Sequence, residues 1–231
     1  MNFCYTVSMT TPGIIKTVIL DFDDTMYLSE EACFFLENEV LRRMGREPQK
    51  RDVHLATWGM QVEAAMHQRS PGIDIADFWK TMNMTHAEFV KDGRIDTLAD
   101  HTLRTLDELA SVGYELFVLT SRTKSEVIHL LDPSHHLSGR VTHIYHADET
   151  GHIKPDPRVF DKLFASHDAS PETSVYVGDS PSDGHAANGA GMKFIASFEA
   201  GIRTLDDFAD VQIDATINHF TELPETIKNL R

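Results

Sequence analysis

The 231-residue sequence holds only two cysteines, no apolar run of membrane-spanning length, and far fewer basic than acidic side chains. Each shortage excludes a class of protein. Cys4 and Cys33 have neither a disulfide-framework nor a zinc-motif spacing, so ordinary thiols are expected. A membrane helix needs about 20 consecutive apolar residues, and the first residues carry no basic-plus-apolar signal segment. With 21 Lys plus Arg against 36 Asp plus Glu, the formal charge is −15. That balance argues against binding nucleic-acid polymers or acidic membranes. Neither an internal repeat nor a low-complexity tract occurs. The composition agrees with a cytoplasmic metabolic enzyme without establishing one, and the length suffices for one substantial core plus a smaller module.

What the chain does have is acid at the tips of apolar strands. The run Ile14-Ile15-Lys16-Thr17-Val18-Ile19-Leu20 ends in Asp21-Phe22-Asp23-Asp24-Thr25. Three carboxylates in one turn repel one another unless a cation, a proton or a donor offsets them. A divalent metal does so most simply, and an all-oxygen set favours magnesium. In extended chain, residues two apart share a face, so Asp21 and Asp23 can address one centre. A second apolar run, Val175-Tyr176-Val177, ends in Gly178-Asp179, with Asp183 expected in the first turn of a helix beginning near Ser182.

Two further features lie between these clusters. The strand candidate Glu115–Leu119 runs into Thr120-Ser121-Arg122, where Ser121 can cap a following helix and exposed amides can attract phosphate. Lys154 precedes Pro155-Asp156-Pro157, whose prolines restrict the backbone and make the lysine a fixed cation. Carboxylates, hydroxyls and a lysine around one mouth point to phosphate chemistry.

The four clusters, in this order, resemble the haloacid-dehalogenase superfamily of phosphohydrolases. Asp21-Phe22-Asp23-Asp24-Thr25 is similar to its first motif, Thr120 to the second, Lys154 to the third, and Gly178-Asp179 with Asp183 to the fourth. Among members, the chain resembles phosphoglycolate phosphatase or nucleotidase relatives. The resemblance implies that Asp21 is the nucleophile and Asp23 the general acid and base. It implies that Thr120, Ser121 and Lys154 bind phosphate, and that Asp21, Asp23 (through its carbonyl) and Asp179 hold Mg2+, with Asp183 in support. It disfavours dehalogenation, where tyrosine usually stands at the position of Asp23, and phosphonate cleavage, where alanine does. Asp24 replaces a glycine common in the family. The substrate implied is a small phosphorylated metabolite. A phosphosugar mutase and a nonenzymatic, phosphate-dependent regulatory protein are the alternatives, and the oligomeric state stays open.

Nearly a hundred residues separate Thr25 from Thr120, far more than a loop needs. The periodicity predicts helices over Glu31–Arg43, Lys50–Gln68, Ile75–Met82 and Thr85–Lys91, which resemble an all-helical cap inserted at 27–97. Residues 1–26 and 98–231 are then the catalytic core. Its alternating pattern predicts an α/β, Rossmann-like, mainly parallel sheet with flanking helices. Within the cap, Arg51 and His54 are substrate-contact candidates, and Trp58 and Trp79 can line the mouth. His143, His146 and His152 show no closed metal pattern.

Overall fold

A computed structural model describes residues 14–58 and 60–230 of the chain. Residues 1–13, which the sequence reading places in the core and which include Cys4, lie outside that description.

The first strand, β1 (Thr17–Leu20), is buried at all four positions. An inserted helical region follows: α1 (Ser29–Arg43), α2 (Arg51–Ala56), α3 (Val62–Arg69) and α4 (Ile75–Lys91). The chain then returns through α5 (Asp100–Ser111) to β2 (Glu115–Leu119), α6 (Lys124–Val127), β3 (His143–Tyr145), α7 (Ala147–Thr150) and α8 (Asp161–Ser166). It ends with β4 (Ser174–Gly178), α9 (Pro181–Gly189), β5 (Lys193–Ser197), β6 (Ala215–Ile217) and α10 (Leu223–Asn229).

The six strands form one parallel sheet in the order β3-β2-β1-β4-β5-β6. Strand alternation divides the core between its faces. Val18, Leu20, Val118, Val175 and Val177 pack with Leu106 and Leu109 of α5 and with Leu223 and Ile227 of α10. Ile19, Phe117, Tyr176 and Phe194 pack with Leu163 of α8 and with Ala186 and Ala187 of α9. The order reverses direction between β1 and β4, and ligands of open parallel sheets bind outside the carboxyl ends at such a reversal. Leu20 is in register with Val118 on one side and Val177 on the other. The residues that follow these three strands therefore emerge side by side.

The inserted helices have their own apolar centre of Val40, Leu41, Met66, Ile73 and Phe78. Beside it lies an ionic one. Arg69 Nη1 donates to Glu37 at 2.7 and 2.8 Å, and His54 sits between Glu30 and Glu37 at 3.2 and 3.3 Å. His54 is completely buried there and the exposed Arg51 is paired to Glu30, and neither lines the cavity at the carboxyl edge of the sheet. The expected helix over 50–68 is two helices. Thr57 donates to the carbonyls of Val53 and His54 and accepts from Arg69 Nε at 2.7 Å, so the chain turns back and brings Arg69 onto Glu37. Conversely, the two helices expected over 75–91 are one. Thr85, buried inside it, satisfies its hydroxyl on the Thr81 carbonyl at 2.8 Å.

Candidate active site

Asp21 follows β1, and its amide donates to Val177 of β4 at 2.9 Å, so the backbone stays extended for one residue beyond the strand. Thr120 follows β2, buried, with its amide on the Tyr145 carbonyl at 3.0 Å. Asp179 follows β4. All three border a cavity of about 620 Å3 at the carboxyl edge of the sheet, together with Asp23, Asp24, Ser121, Arg122 and Lys154. Its other wall comes from the inserted helices through Trp58, Met60, Val62, Trp79 and Met82. Both tryptophans thus line the mouth.

Lys154 is the centre of the charge arrangement. Its Nζ lies 2.6 Å from Asp21 Oδ1 and 2.6 Å from Asp183 Oδ1, and donates to the Tyr176 hydroxyl at 3.1 Å. Two carboxylates and a phenol around a buried ammonium hold its pKa well above the usual lysine value, against the opposing pull of burial. Asp183 does not reach the cavity; it is wholly buried behind Lys154. Its second oxygen accepts from the amide of Ser180 at 3.0 Å and from the Ser180 hydroxyl at 2.6 Å, which closes a capping box at the start of α9. One side chain thereby fixes both a helix terminus and the lysine. Gly178 makes this possible: a Cβ there would sit 2.5 Å from both Cβ and Cγ of Asp183.

Carboxylate oxygens of Asp21, Asp179 and Asp183 lie within 4.8 Å of one another, all three buried. Burial pushes Asp21 up to about 8; Lys154 opposes this, and the charges of Asp183 and Asp23 add to it. Burial raises Asp179 well above the usual carboxylate range, reinforced by Asp183, Asp21 and Asp24. Lys154 sets one positive charge against three carboxylates, and a hard divalent cation among oxygen donors would offset the rest. The residues therefore fit a divalent metal.

Asp23 is held differently. Arg122 Nε and Nη2 donate to its two carboxylate oxygens at 2.9 and 2.5 Å, while Arg122 Nη1 donates to both oxygens of buried Asp96 at 3.0 Å. His129 Nε2 also contacts Asp96 at 2.8 Å. Sequence reasoning passed over Asp96 and His129 and gave Arg122 no role. The only sequence signal was a basic residue next to the hydroxyl turn. Ser121 is exposed on the cavity wall, but it does not cap α6; Thr123 does, in a capping box with Glu126.

Asp24 turns away from the reaction centre. It has a φ of 55°, in the left-handed region that favours glycine. Its carboxylate accepts from the Glu30 amide at 2.9 Å and from Trp58 Nε1 at 2.9 Å. The first satisfies an otherwise free donor in the opening turn of α1, which has no side-chain cap of its own. Burial pushes this carboxyl up to about 6, opposed by the Glu30 amide.

Residues 18–197 match the haloacid dehalogenase-like hydrolase family, and the chain belongs to it. The fold and its inserted helical cap are those of that superfamily. Among characterised sequences it is similar to the pyrophosphatase PpaX of Bacillus mycoides (strain KBAB4), 24% identical over 79% of this chain and 83% of that protein. Two crystal structures share the fold. One is a subfamily IA, variant 1 hydrolase of the superfamily from Geobacter sulfurreducens PCA, at TM-score 0.68 and 23% identity, over 93% of this chain and 97% of the other. The other is CbbY of Rhodobacter sphaeroides in complex with phosphate, at TM-score 0.70 and 22% identity, over 93% and 99%. No helix among the described residues is long and apolar enough to cross a membrane.

Proposed function

We propose that the chain is a magnesium-dependent phosphomonoester hydrolase that acts on a small phosphorylated metabolite through an aspartyl phosphate. The observation that carries this reading is the convergence of Asp21, Lys154 and Asp179 at one strand-tip cavity, with Asp23 beside them. Asp21, Asp179 and the Asp23 carbonyl would hold the ion, since both Asp183 oxygens are engaged by Lys154 and the α9 capping box. Bound there, magnesium supplies charge that offsets the repulsion between an anionic nucleophile and an anionic phosphate.

The chain's own residues then divide the work. Lys154 and the hydroxyls of Thr120 and Ser121 bind phosphate oxygens, where charge accumulates as the ester bond breaks. The Asp21 carboxylate oxygen attacks phosphorus in line and the P–O ester bond breaks, while Asp23 passes a proton to the departing oxygen. In the second half, Asp23 takes a proton from water as it attacks the phosphorus of the acyl phosphate, which frees inorganic phosphate and restores Asp21. Trp58 and Trp79 on the cap wall reduce water access and favour a small substrate that fits beneath them.

The test is phosphate release from a panel of phosphorylated metabolites, with inorganic pyrophosphate included, by wild-type and Asp21→Asn protein with and without magnesium. Metal-dependent turnover that Asp21→Asn abolishes supports the reading. Turnover that survives Asp21→Asn removes the nucleophile, and folded wild-type protein inert across the panel removes the hydrolase.

A further inference from the structure

We infer that the chain carries a second metal site, for a late-transition divalent cation of the zinc type, formed by His101, Glu199 and His219. The three side chains come from the first turn of α5, from the segment after β5 and from the turn after β6. One nitrogen from each imidazole and one carboxylate oxygen lie within 4.8 Å of one another. His101 Nε2 is 2.9 Å from Glu199 Oε1, and His219 Nε2 is 3.9 Å from the same oxygen. Tetrahedral zinc with bonds of about 2.0–2.2 Å spaces its ligands by about 3.3–3.6 Å, so small rotamer changes would close the set. Two imidazoles and one carboxylate with a fourth position open to solvent are donors that zinc takes and magnesium does not favour.

The surroundings orient these ligands. Glu199 Oε2 accepts the amide proton of Phe220, which leaves Oε1 directed at both rings. His219 Nδ1 lies 2.7 Å from Thr221 Oγ1. In this structure His219 Nδ1 also accepts the Thr221 amide proton at 3.4 Å; with the metal on Nε2, Nδ1 would take up the proton and donate to the Thr221 hydroxyl in its place, the outer contact that fixes a ligating histidine. The two rings lie 4.4 Å apart at 33°. Without a cation, imidazole and carboxylate pair with each other; the metal would replace the protons they share. It would also pin the segment after β5, whose Arg203 reaches the phosphate cavity.

Zinc uptake should be measured by competition with a chromophoric chelator, in excess magnesium to fill the all-oxygen cluster. Wild-type and Asp21→Asn proteins should each bind one zinc ion per chain at this site with equal affinity. Glu199→Gln should weaken it at least tenfold, and the half-exposed His219→Ala should do the same without a change in fold by circular dichroism. Saturating zinc should raise the wild-type Tm by about 5–10 °C and the His219→Ala Tm not at all. Cobalt in place of zinc should give the visible absorption of a four-coordinate nitrogen-ligated ion. No zinc uptake by the wild type, or equal uptake by His219→Ala and Glu199→Gln, overturns the site whether or not the phosphatase reading stands.

Discussion

Arg122 engages both carboxylate oxygens of Asp23, at 2.9 and 2.5 Å, and is itself anchored by both oxygens of Asp96. A side chain with both acceptors occupied is well positioned but not free to exchange a proton with a substrate. For the acid and base role proposed for Asp23 the pair would open during turnover, and Asp96 with His129 would keep the guanidinium in place. Arg122→Ala should lower kcat about 10–100-fold through misplacement of Asp23, with a smaller effect on KM. Arg122→Lys should recover only part of the loss, because an ammonium cannot make the planar two-point contact. Steady-state kinetics on the preferred substrate decides this, and unchanged kcat in Arg122→Ala would remove the positioning role.

Gly178→Ala should be more damaging than its size suggests. The added methyl would meet Asp183 Cγ at 2.5 Å and Oδ2 at 2.7 Å. Asp183 must then shift, which disturbs Lys154 and the start of α9 together. We expect a stability loss of about 1–3 kcal/mol from overpacking and a fall in phosphate release that exceeds the fall in folded protein. Urea denaturation alongside the activity assay separates the two.

The ionic centre of the cap gives a stability prediction. Glu37 is buried, which alone would raise its pKa, yet the hydrogen bond from His54 and the charge of Arg69 bring it below the usual value. Arg69→Met would leave that carboxylate without its main counter-charge. Such a break costs about 3–5 kcal/mol. Denaturant unfolding should show the loss, while Glu37→Gln combined with Arg69→Met should restore part of it.

Metal and pH should be linked through Asp21. Its carboxyl is pushed up to about 8 in the folded chain, mainly by burial, against about 3.9 unfolded. The folded state therefore binds more protons between those values, so stability falls as pH rises from about 4 to about 8 when metal is removed. Magnesium should flatten that slope and bind more tightly at the upper end. Thermal melts across the window with chelator and with magnesium test it, and Asp21→Asn should make the slope shallower without abolishing it, because the carboxyls of Asp179 and Asp24 are raised as well.

Most of the legible part of this protein lay within a few residues of a strand tip. Asp21, Asp23 and Asp179 declare themselves by acid beside an apolar run, Lys154, away from any strand tip, by the prolines that follow it, and the alternation of strands and helices pointed to the parallel sheet. The partners of these residues were hidden because the fold, not the local sequence, brings them together. Asp96 is 26 residues from Arg122, across the return from the cap, and Glu199 is 98 residues from His101. Local patterning also misjudged the cap helices. Whether 50–68 bends at Thr57 depends on Arg69 and Glu37, a tertiary contact that no period reveals.

Asp24 shares a turn with Asp21 and Asp23 but gives its oxygens to α1 and to Trp58. The loop that positions the reacting groups is thus bolted to the lid, at the very point where the chain leaves the core to build it. Tilting α1 or the Trp58 turn pulls on the same few backbone bonds that set the direction of Asp21. Cap and proposed nucleophile would then move as one lever, and the tryptophan at its far end should serve as a fluorescent gauge of where that lever stands.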